Sequence, residues 1–394
     1  MTSSFSKCFI VLIGIFAAGC GSADDSPSTP DPVTDNFYFG ADLSYVNQIL
    51  DHNGVYREDG AVKDPYKIFS DNGTNLVRLR IWHNPVWTKE VYDGSGTQLY
   101  NDLADVEKAI AKSKAEGMKV LLDFHYSDTW ADPGKQHVPD AWTDIETIDV
   151  LEDSVYEYTL RTLSRLRVKD LLPEFVQIGN ETNCGMLFTD APAAFPKLNV
   201  CDDNWENMGA VVNAGIKAAR QAANDGKTDI KIILHVADPK NVGWWFDNLT
   251  SKGSVSDFDI VGFSYYPLWH TTVPLDQIDE TVSSFKGRYG KDVMILETAY
   301  PWTSEAADEY NNAFSELTPL TGFPFTQQGQ YEFLVRLTQE VRRGEGIGVI
   351  YWEPAWITSG VKDLWGTGSS WENNTFFDFD GQRHKGMAFM KFDY

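Results

Sequence analysis

The sequence has few basic residues, few histidines and few cysteines, and these shortages narrow what the protein can do. Its 394 residues include 33 Lys and Arg against 57 Asp and Glu, a formal net charge of −24. So acidic a surface repels phosphate backbones and anionic lipid head groups, and nucleic acid is not expected as a partner. The seven histidines form no compact His-x-x-x-His pair, which disfavours catalysis by zinc.

The apolar run at the N-terminus is too short to cross a membrane. It covers residues 8–16, whereas a spanning helix needs about 20 apolar residues. Lys7 precedes it and small residues follow it, as in a secretory signal. Because a cysteine comes next, Phe16-Ala-Ala-Gly-Cys20 resembles a bacterial lipobox, in which Cys20 is lipidated and anchors the mature protein to a membrane. An ordinary signal peptide with a chance cysteine is the alternative.

Three segments follow from this interpretation. Residues 1–19 are expected to be a lipoprotein signal peptide, and residues 20–34, rich in Ser, Pro and Asp, a flexible tether. Residues 35–394 contain no internal repeat and no second linker, so we expect one catalytic domain and a monomer. The acidic pair Asp24-Asp25 resembles the surface-export signal of Bacteroidetes lipoproteins. We therefore expect an exported lipoprotein of the outer membrane that faces the cell exterior.

Four cysteines are present, of which Cys8 belongs to the signal and Cys20 to the lipidation site. Cys184 and Cys201 remain in the mature domain of an exported protein. A disulfide between them would close a modest loop and stabilise the fold by about 3 kcal/mol. Two free thiols are an equal alternative, since the sequence does not give the separation of the Cα atoms.

Short apolar runs alternate with longer amphipathic stretches from residue 38 to the C-terminus, which predicts βα units and a parallel sheet. Helices are predicted over residues 102–116, where Gly117 is a typical helix stop, and over 155–167, 205–224 and 327–343. Eight runs are strand candidates, the number that closes a (β/α)8 TIM barrel. They are residues 38–41, 76–81, 119–124, 175–178, 231–236, 260–264, 293–296 and 347–352.

Two of these strands lead into a glutamate. Glu181 follows the fourth strand in Phe175-Val-Gln-Ile-Gly-Asn-Glu181, and Glu297 ends the seventh in Val293-Met-Ile-Leu-Glu297. Barrel enzymes keep their chemistry at the C-terminal ends of the strands, and retaining glycosidases need two carboxyl groups about 5–5.5 Å apart. A carboxylate that closes an apolar strand is costly unless it is hydrogen-bonded or functional. The pair therefore predicts an enzyme that cuts a polysaccharide.

Neighbouring residues predict a role for each glutamate. Asn180-Glu181 resembles the Asn-Glu dipeptide of retaining barrel hydrolases, in which the glutamate is the acid/base, so Glu297 is predicted to be the nucleophile. Asn180 is expected to hold the 2-hydroxyl of the sugar. Arg80 is expected to keep Glu297 ionised by its charge and a hydrogen bond. Strand alternation places Arg78 on the same face, so both arginines are expected to point inward.

Further polar and aromatic side chains follow the strands, and this common placement favours recognition of sugar hydroxyls and rings over metal binding by His125 and His235. The sequence contains 13 Trp, of which we expect about half in the core and half in the cleft. The predicted substrate-binding residues are Asn180, Arg80, Asp42, His125, Tyr126, Asp128, Trp130, Trp142, His235, Asp238, Tyr265, Trp302 and Trp352.

Six motifs resemble, in the same order, those of the family 53 glycoside hydrolases, the endo-β-1,4-galactanases. The resemblance covers nearly the whole mature domain, and its third motif is long and unusual. The motifs are Gly40-Ala-Asp-Leu-Ser44, Val77-Arg-Leu-Arg-Ile-Trp82, Leu122-Asp-Phe-His-Tyr-Ser-Asp-Thr-Trp-Ala-Asp-Pro133, Gln177-Ile-Gly-Asn-Glu-Thr182, Leu296-Glu-Thr298 and Tyr351-Trp-Glu-Pro-Ala-Trp356.

The resemblance implies a retaining (β/α)8 hydrolase that cuts internal β-1,4-galactosyl bonds in galactan and type I arabinogalactan, releasing galacto-oligosaccharides. Water is then the second substrate, and the chemistry needs no cofactor. Glu181 matches the acid/base of the family and Glu297 its nucleophile. Sugar stacking is expected for Trp87, Trp130, Trp142, Trp269, Trp302, Trp365 and Trp371.

Some members of the family hold a calcium ion in the loop after the nucleophile strand, through an Asp-x-Asp-x-His-x-Asn pattern. The corresponding stretch here, Ala306-Ala-Asp308-Glu-Tyr310-Asn-Asn312, keeps only Asp308 and Asn312. Because calcium takes about 6–8 oxygen ligands, loss of one Asp weakens the case for a structural Ca²⁺ without ending it.

Two other functions remain open at this point. Another retaining barrel β-glycanase, a mannanase or an endoglucanase, would share both glutamates and differ in which hydroxyl at C4 its site accepts. A surface glycan-binding lipoprotein without catalysis is the other alternative, but a binding protein has no need for Asn180, Glu181, Glu297 and Arg80 together.

Overall fold

Eight parallel strands close into a barrel in the computed structural model, which describes residues 37–96 and 98–394. Each strand pairs with the next along the chain, and β8 pairs with β1, so the (β/α)8 prediction is confirmed. The predicted signal peptide, lipidation site and tether lie outside the described residues. The barrel strands are β1 (Tyr38–Asp42), β2 (Leu76–Ile81), β3 (Lys119–Phe124), β4 (Phe175–Ile178), β5 (Lys231–Ala237), β6 (Ile260–Ser264), β7 (Asp292–Thr298) and β8 (Gly348–Tyr351).

Helices surround the barrel, and none among the described residues is long and apolar enough to cross a membrane. They are α1 (Val46–Asp51), α2 (Pro65–Asp71), α3 (Trp87–Glu90), α4 (Leu103–Ala115), α5 (Ile148–Val168), α6 (Trp205–Gly226), α7 (Pro239–Ser251), α8 (Ile278–Tyr289) and α9 (Gln327–Arg343). A small antiparallel pair joins Arg57–Glu58 to Ala61–Val62. Short 3₁₀ helices cover Asp140–Trp142, Val200–Asp202, Leu275–Gln277, Glu372–Asn374 and Lys385–Lys391.

Helix boundaries agree with the sequence where the apolar period is strong. α9 has the predicted bounds. α4 ends before Gly117, whose φ is +78°, a left-handed conformation that glycine adopts easily because it has no Cβ atom. α5 begins at Ile148, seven residues before the predicted start. Its first two turns contain three acidic residues, and only Leu151 is fully buried among residues 148–154, so the apolar period is weak there.

The barrel interior is filled in two kinds of layer. Toward the N-terminal ends of the strands the inward-facing side chains are apolar, and we call this set of eight residues the apolar layer. Two residues further along four of the strands the buried side chains become polar, and we call Arg78, Asp123, Gln177 and His235 the polar layer. The apolar layer consists of Leu76, Leu121, Phe175, Ile233, Ile260, Met294, Leu296 and Ile350.

Candidate active site

Glu181 and Glu297 meet at the C-terminal end of the barrel. Glu181 follows β4 with φ of +44°, a left-handed conformation that is uncommon for a residue with a Cβ. A carboxylate oxygen of Glu181 lies within 4.8 Å of a carboxylate oxygen of Glu297. Their exposed fractions are only 8% and 5%. This separation suits a nucleophile and an acid/base that act on one glycosidic bond.

A bulge aims Glu297 at its partner. Between β6 and β7 the pairing shifts, so that Phe263 lies opposite Ile295 but Ser264 lies opposite Glu297. Leu296 already belongs to the apolar layer, and strict alternation would turn the next side chain outward. The extra residue lets Leu296 and Glu297 both face the interior, as bulges beside active sites often do.

Glu297 receives two hydrogen bonds that favour its ionised form. Arg78 Nη1 donates to Oε1 at 2.7 Å, and the Tyr266 hydroxyl donates to Oε2 at 2.8 Å. Burial raises the pKa of Glu297, while the Arg78 charge and the Tyr266 hydrogen bond lower it. A carboxylate held by a guanidinium and a phenol is suited to attack as an anion.

Glu181 lies in surroundings that favour its protonated form. Burial raises its pKa well above the usual value, and the negative charge of Glu297 raises it further. Ser264 Oγ is hydrogen-bonded to Glu181 Oε1. Since two carboxyl groups this close do not ionise together readily, the shared proton resides on Glu181. The environment therefore makes Glu181 the acid and Glu297 the anion.

The cation beside Glu297 is Arg78, so the expectation that Arg80 fills this role is wrong. Both arginines face inward, as alternation predicts, but Arg80 lies two residues, about 6.6 Å, nearer the end of the strand. Arg78 also donates from Nη1 to Asp42 Oδ2 at 3.1 Å and from Nη2 to Asp123 Oδ2 at 2.7 Å. One buried guanidinium thus ties three carboxylates together.

Arg80 holds the aromatic wall of the cleft. Its guanidinium carbon lies 4.2 Å from the centre of the Trp130 ring and 4.3 Å from that of Tyr45. It forms an ion pair with Glu353, whose pKa is raised to about 8 because burial outweighs the effect of Arg80. Arg80 therefore acts on the site by fixing Trp130, whose ring lines the cleft.

Asn180 is oriented by its neighbours on both sides. Its Oδ1 accepts a hydrogen bond from Arg78 Nη2 at 2.7 Å, and its Nδ2 donates to Ala131 O at 2.8 Å.

The ring of His125 is also fixed, because its Nδ1 accepts hydrogen bonds from Trp82 Nε1 and from the Ala131 N–H, both at 3.2 Å. Its proton therefore lies on Nε2, which donates to the Asp123 carboxylate at 3.0 Å.

An open cleft surrounds the two glutamates. Trp269 and Trp365 line it and are 51% and 56% exposed, which leaves flat faces open to sugar rings. Six of the 13 Trp line the cleft, in agreement with the expected half: Trp130, Trp269, Trp352, Trp356, Trp365 and Trp371. The predicted contacts that line it are Asp42, Arg80, His125, Trp130, Asn180 and Trp352.

Three predicted contacts near β3 lie elsewhere. Tyr126 points away from the barrel interior, and its hydroxyl meets Thr159 Oγ1 of α5 at 2.8 Å. Trp142 is buried and packs edge-on against Tyr158. The Asp128 carboxylate accepts the backbone N–H groups of residues 84 and 140, so it holds a loop. Of these residues, none lines the cleft.

Four more predicted contacts also fall outside the cleft lining. Asp238 accepts the Lys240 N–H and caps α7, which begins at Pro239. The Tyr265 hydroxyl donates to Val273 O at 3.1 Å, and Trp302 Nε1 donates to Glu372 O at 3.0 Å. His235 lies beneath Glu181, fully buried. The cleft residues that sequence reasoning did not single out as contacts include Asp132, Lys135, Tyr266, Tyr310, Trp356, Asp363 and Ser370.

Cys184 and Cys201 form a disulfide, with their Cα atoms 5.0 Å apart. The bridge closes a loop that begins three residues after Glu181. The Val200 N–H also donates to Cys184 O at 2.9 Å, so the loop is closed by the backbone as well. The bridge therefore restrains the segment that follows the acid/base.

The candidate calcium residues are engaged within the protein. The two carboxylate oxygens of Asp308 accept the N–H groups of Tyr310 and Ser369, and Asn312 Nδ2 donates to Glu372 Oε1 at 3.2 Å. Asn312 Oδ1 is buried without a partner. The set Glu181, His235 and Glu297 has metal-like spacing, but Arg78 and Tyr266 already occupy the Glu297 oxygens.

Comparison with known proteins agrees with this geometry. A family model described as "Glycosyl hydrolase family 53" matches residues 38–390. The chain is 42% identical to an arabinogalactan endo-β-1,4-galactanase of Cellvibrio japonicus over 95% of this chain and 93% of that protein. It is 34% identical to an endo-β-1,4-galactanase of Bacillus subtilis over 88% and 78%. The solved GH53 catalytic domain of Ignisphaera aggregans matches with a TM-score of 0.79 at 32% identity, over 93% of this chain and 97% of that one.

Proposed function

The chain belongs to glycosyl hydrolase family 53, and from this premise we propose that it hydrolyses internal β-1,4-galactosidic bonds of galactan and type I arabinogalactan with retention of configuration. The observation that carries the proposal is the buried pair Glu181 and Glu297, with carboxylate oxygens within 4.8 Å. The similar proteins of Cellvibrio japonicus and Bacillus subtilis, both named as galactanases, support the substrate.

In the first step Glu297 attacks the anomeric carbon while Glu181 gives its proton to the leaving oxygen. The bond from C1 to that oxygen breaks, and a galactosyl ester forms on Glu297. Arg78 and Tyr266 hold the attacking carboxylate in place. Asn180, oriented by Arg78, is placed to bind the 2-hydroxyl, a contact that strengthens as positive charge develops on the sugar.

In the second step Glu181 becomes the base. Esterification removes the negative charge of Glu297, which had raised the pKa of Glu181, so this pKa falls once the ester has formed. Water loses a proton to Glu181 and attacks C1, and Glu297 leaves as a carboxylate. Two inversions give net retention.

Product analysis tests this function. The purified protein is incubated with β-1,4-galactan, galactomannan and carboxymethyl cellulose, and the products are separated by chromatography. We expect short galacto-oligosaccharides from galactan and none from the other two polymers. NMR should show that the β-anomer of these products forms first, as retention requires. Activity only on the other two polymers would make it another β-glycanase, and activity on none would favour a glycan-binding protein.

The chemistry needs no cofactor, and we propose that the loop with Asp308 and Asn312 is held without calcium. Calcium takes about 6–8 oxygens, whereas the side chains of this pair offer one unpaired oxygen, Asn312 Oδ1. We expect EDTA to leave the melting temperature unchanged within about 1 °C, since no bound ion is lost. A clear drop that added Ca²⁺ reverses would show that the loop binds the ion.

We also propose that the protein is a lipid-anchored monomer at the outer cell surface. The support is the lipobox-like sequence ending at Cys20 and the acidic pair Asp24-Asp25. Labelling with a radioactive fatty acid should mark the protein but not Cys20→Ala, and protease added to intact cells should remove it. Label on Cys20→Ala, protection from the protease, or a dimer in light scattering would contradict these points.

A further inference from the structure

A chain of buried polar side chains continues behind Glu181, away from the cleft. Ser264 Oγ contacts Glu181 Oε1 on one side and His235 Nε2, at 2.9 Å, on the other. His235 Nδ1 lies in turn 2.9 Å from Asn180 Oδ1. Ser264 and His235 have no exposed surface. A serine hydroxyl donates one hydrogen bond at a time, so Ser264 can serve Glu181 or His235 but not both.

The surroundings of Asn180 decide which nitrogen of His235 carries the proton. Because Asn180 Nδ2 donates to Ala131 O and Oδ1 accepts from Arg78, the atom that faces His235 is an acceptor. An acceptor at 2.9 Å requires an N–H group, which places the proton on His235 Nδ1. Nε2 is then an acceptor directed at Ser264.

Gln177 is compatible with this tautomer. Its Nε2 lies 3.1 Å from His235 Nδ1, and a donor there would call for an unprotonated Nδ1. However, its two N–H groups are taken by Gly179 O at 3.0 Å and Asn180 Oδ1 at 3.1 Å. Burial, together with the charge of Arg78, lowers the pKa of His235 well below its usual value, so the ring stays neutral.

We propose that Ser264 is a two-way hydrogen-bond switch that supports Glu181 both as the acid and as the base, with His235 as its fixed acceptor. When Glu181 is protonated, it donates to Ser264 Oγ, and Ser264 donates to His235 Nε2. When Glu181 is ionised, the Ser264 hydroxyl turns about its Cβ–Oγ bond and donates to the carboxylate. To act as the acid, the Glu181 carboxyl group turns about its Cγ–Cδ bond, which brings the protonated oxygen to the leaving oxygen of the substrate. The other carboxyl oxygen then faces Ser264 and accepts a hydrogen bond from its hydroxyl, while the proton passes to the leaving oxygen.

Ser264 and His235 are therefore positioning residues, and the inference rests on the proposed role of Glu181. Both forms of Glu181 occur in every catalytic cycle, and a buried carboxyl group with one fixed donor would favour only the ionised form. The other charges that face Glu181 are those of Glu297, Asp132 and Arg78. Variants of the switch leave all three in place.

The tautomer of His235 gives a test that needs no substrate. In two-bond ¹H–¹⁵N NMR spectra of the protein, with His235 assigned by its loss in His235→Gln, we expect the neutral Nδ1–H form from about pH 5 to about pH 8. The Nε2–H form would overturn the proposal, because the ring would then always donate to Ser264. Since no galactan is present, this failure is distinguishable from a failure of the proposed activity.

The pH profile of kcat/KM on galactan gives the second test. His235→Phe removes the acceptor that supports protonated Glu181, so the alkaline limb should move to lower pH by about one unit, with about tenfold less activity there. Ser264→Ala removes both the acceptor of protonated Glu181 and the donor to ionised Glu181, so the limb should move less than in His235→Phe. His235→Gln, which offers an oxygen acceptor, should restore part of the profile.

A downward shift in His235→Phe that exceeds the shift in Ser264→Ala supports the switch, and an unchanged or raised alkaline limb in His235→Phe would overturn it. The matched control is Ser113→Ala, since Ser113 is equally buried but donates to Ala109 O within α4. Its profile should equal that of the unmodified protein. If His235→Phe fails to fold, the NMR measurement on the unmodified protein still decides the question.

Discussion

The apolar layer and the polar layer of the barrel are equally buried but are subject to different constraints. Only two residues along β2 separate Leu76 from Arg78, and the same step along β3 separates Leu121 from Asp123. An apolar side chain there needs only to fill volume, whereas each buried charge needs partners of the right sign. The difference teaches that stability and chemistry reside in adjacent layers, with the apolar layer closing the barrel beneath the charges.

The largest expected effect comes from removing the anion that the polar layer holds. Glu297→Ala should lower kcat by about 10⁴-fold or more, because no other group is placed to form the covalent intermediate. The fold should survive, since Arg78 keeps Asp42 and Asp123 as partners. Activity on galactan and circular dichroism measure the two outcomes. The control is the exposed Glu206→Ala, and near-normal turnover of Glu297→Ala would refute the mechanism.

The next effect separates the two arginines. Arg78→Lys should lower kcat/KM by about 10²–10³-fold, because one ammonium group does not replace the guanidinium fork. Arg78 lowers the pKa of Glu297, so its loss raises that pKa. Activity requires ionised Glu297 and should therefore be lost at higher pH as the solution is acidified. The pH profile of Arg80→Lys is the control, and an equal shift in both variants would contradict the division of roles.

A change in the apolar layer should have the converse effect. Leu121→Ala should destabilise the protein by about 2–5 kcal/mol through lost burial and a cavity, while kcat at low temperature stays within about threefold. Denaturant unfolding and initial rates measure these quantities. Val168→Ala, at a side chain that is 82% exposed, should change stability by less than about 0.5 kcal/mol. A large loss of kcat in folded Leu121→Ala would show that the layers are not separable.

The smallest effect on catalysis should come from a restraint that lies outside both layers. The double variant Cys184→Ser, Cys201→Ser should lose about 3 kcal/mol of stability, because the bridge no longer restricts a loop of 17 residues in the unfolded chain. Its kcat should stay within about threefold, since neither cysteine touches the glutamates. Reduction of the unmodified protein by dithiothreitol is the matched comparison. A much larger loss of kcat would place the bridge among the groups that hold Glu181.

Strand alternation carried more information than the list of predicted contacts used. The side chains of Asp123 in β3 and of His125 just after it face inward, so Tyr126 must face outward to α5, where it lies. Ser264 at the end of β6 faces inward, so by alternation Tyr266 also faces inward, where its hydroxyl donates to Glu297. The predicted Tyr265 faces the other way. Asp238 precedes a proline at a helix start, a typical capping position. These three corrections were available from the sequence.

Other parts of the site gave no sequence signal. Tyr310 and Asp363 reach the cleft from long loops that follow β7 and β8, where no period relates one residue to the next. Which arginine contacts Glu297 depends on how far along the tilted strand each one lies. Strand alternation predicts the face of a side chain but not this position. The disulfide required a Cα separation that only the folded loop sets.

The sequence by itself determined the barrel, the two glutamates at its strand ends and the inward face of each arginine, because periodicity and short motifs are local properties of the chain. Only the tertiary structure decided which arginine meets Glu297 and that Glu297 faces inward at all. Leu296 and Glu297 are adjacent, and strict alternation would send one of them outward. The bulge against β6 reverses this, and a bulge is set by pairing between strands rather than by either strand alone.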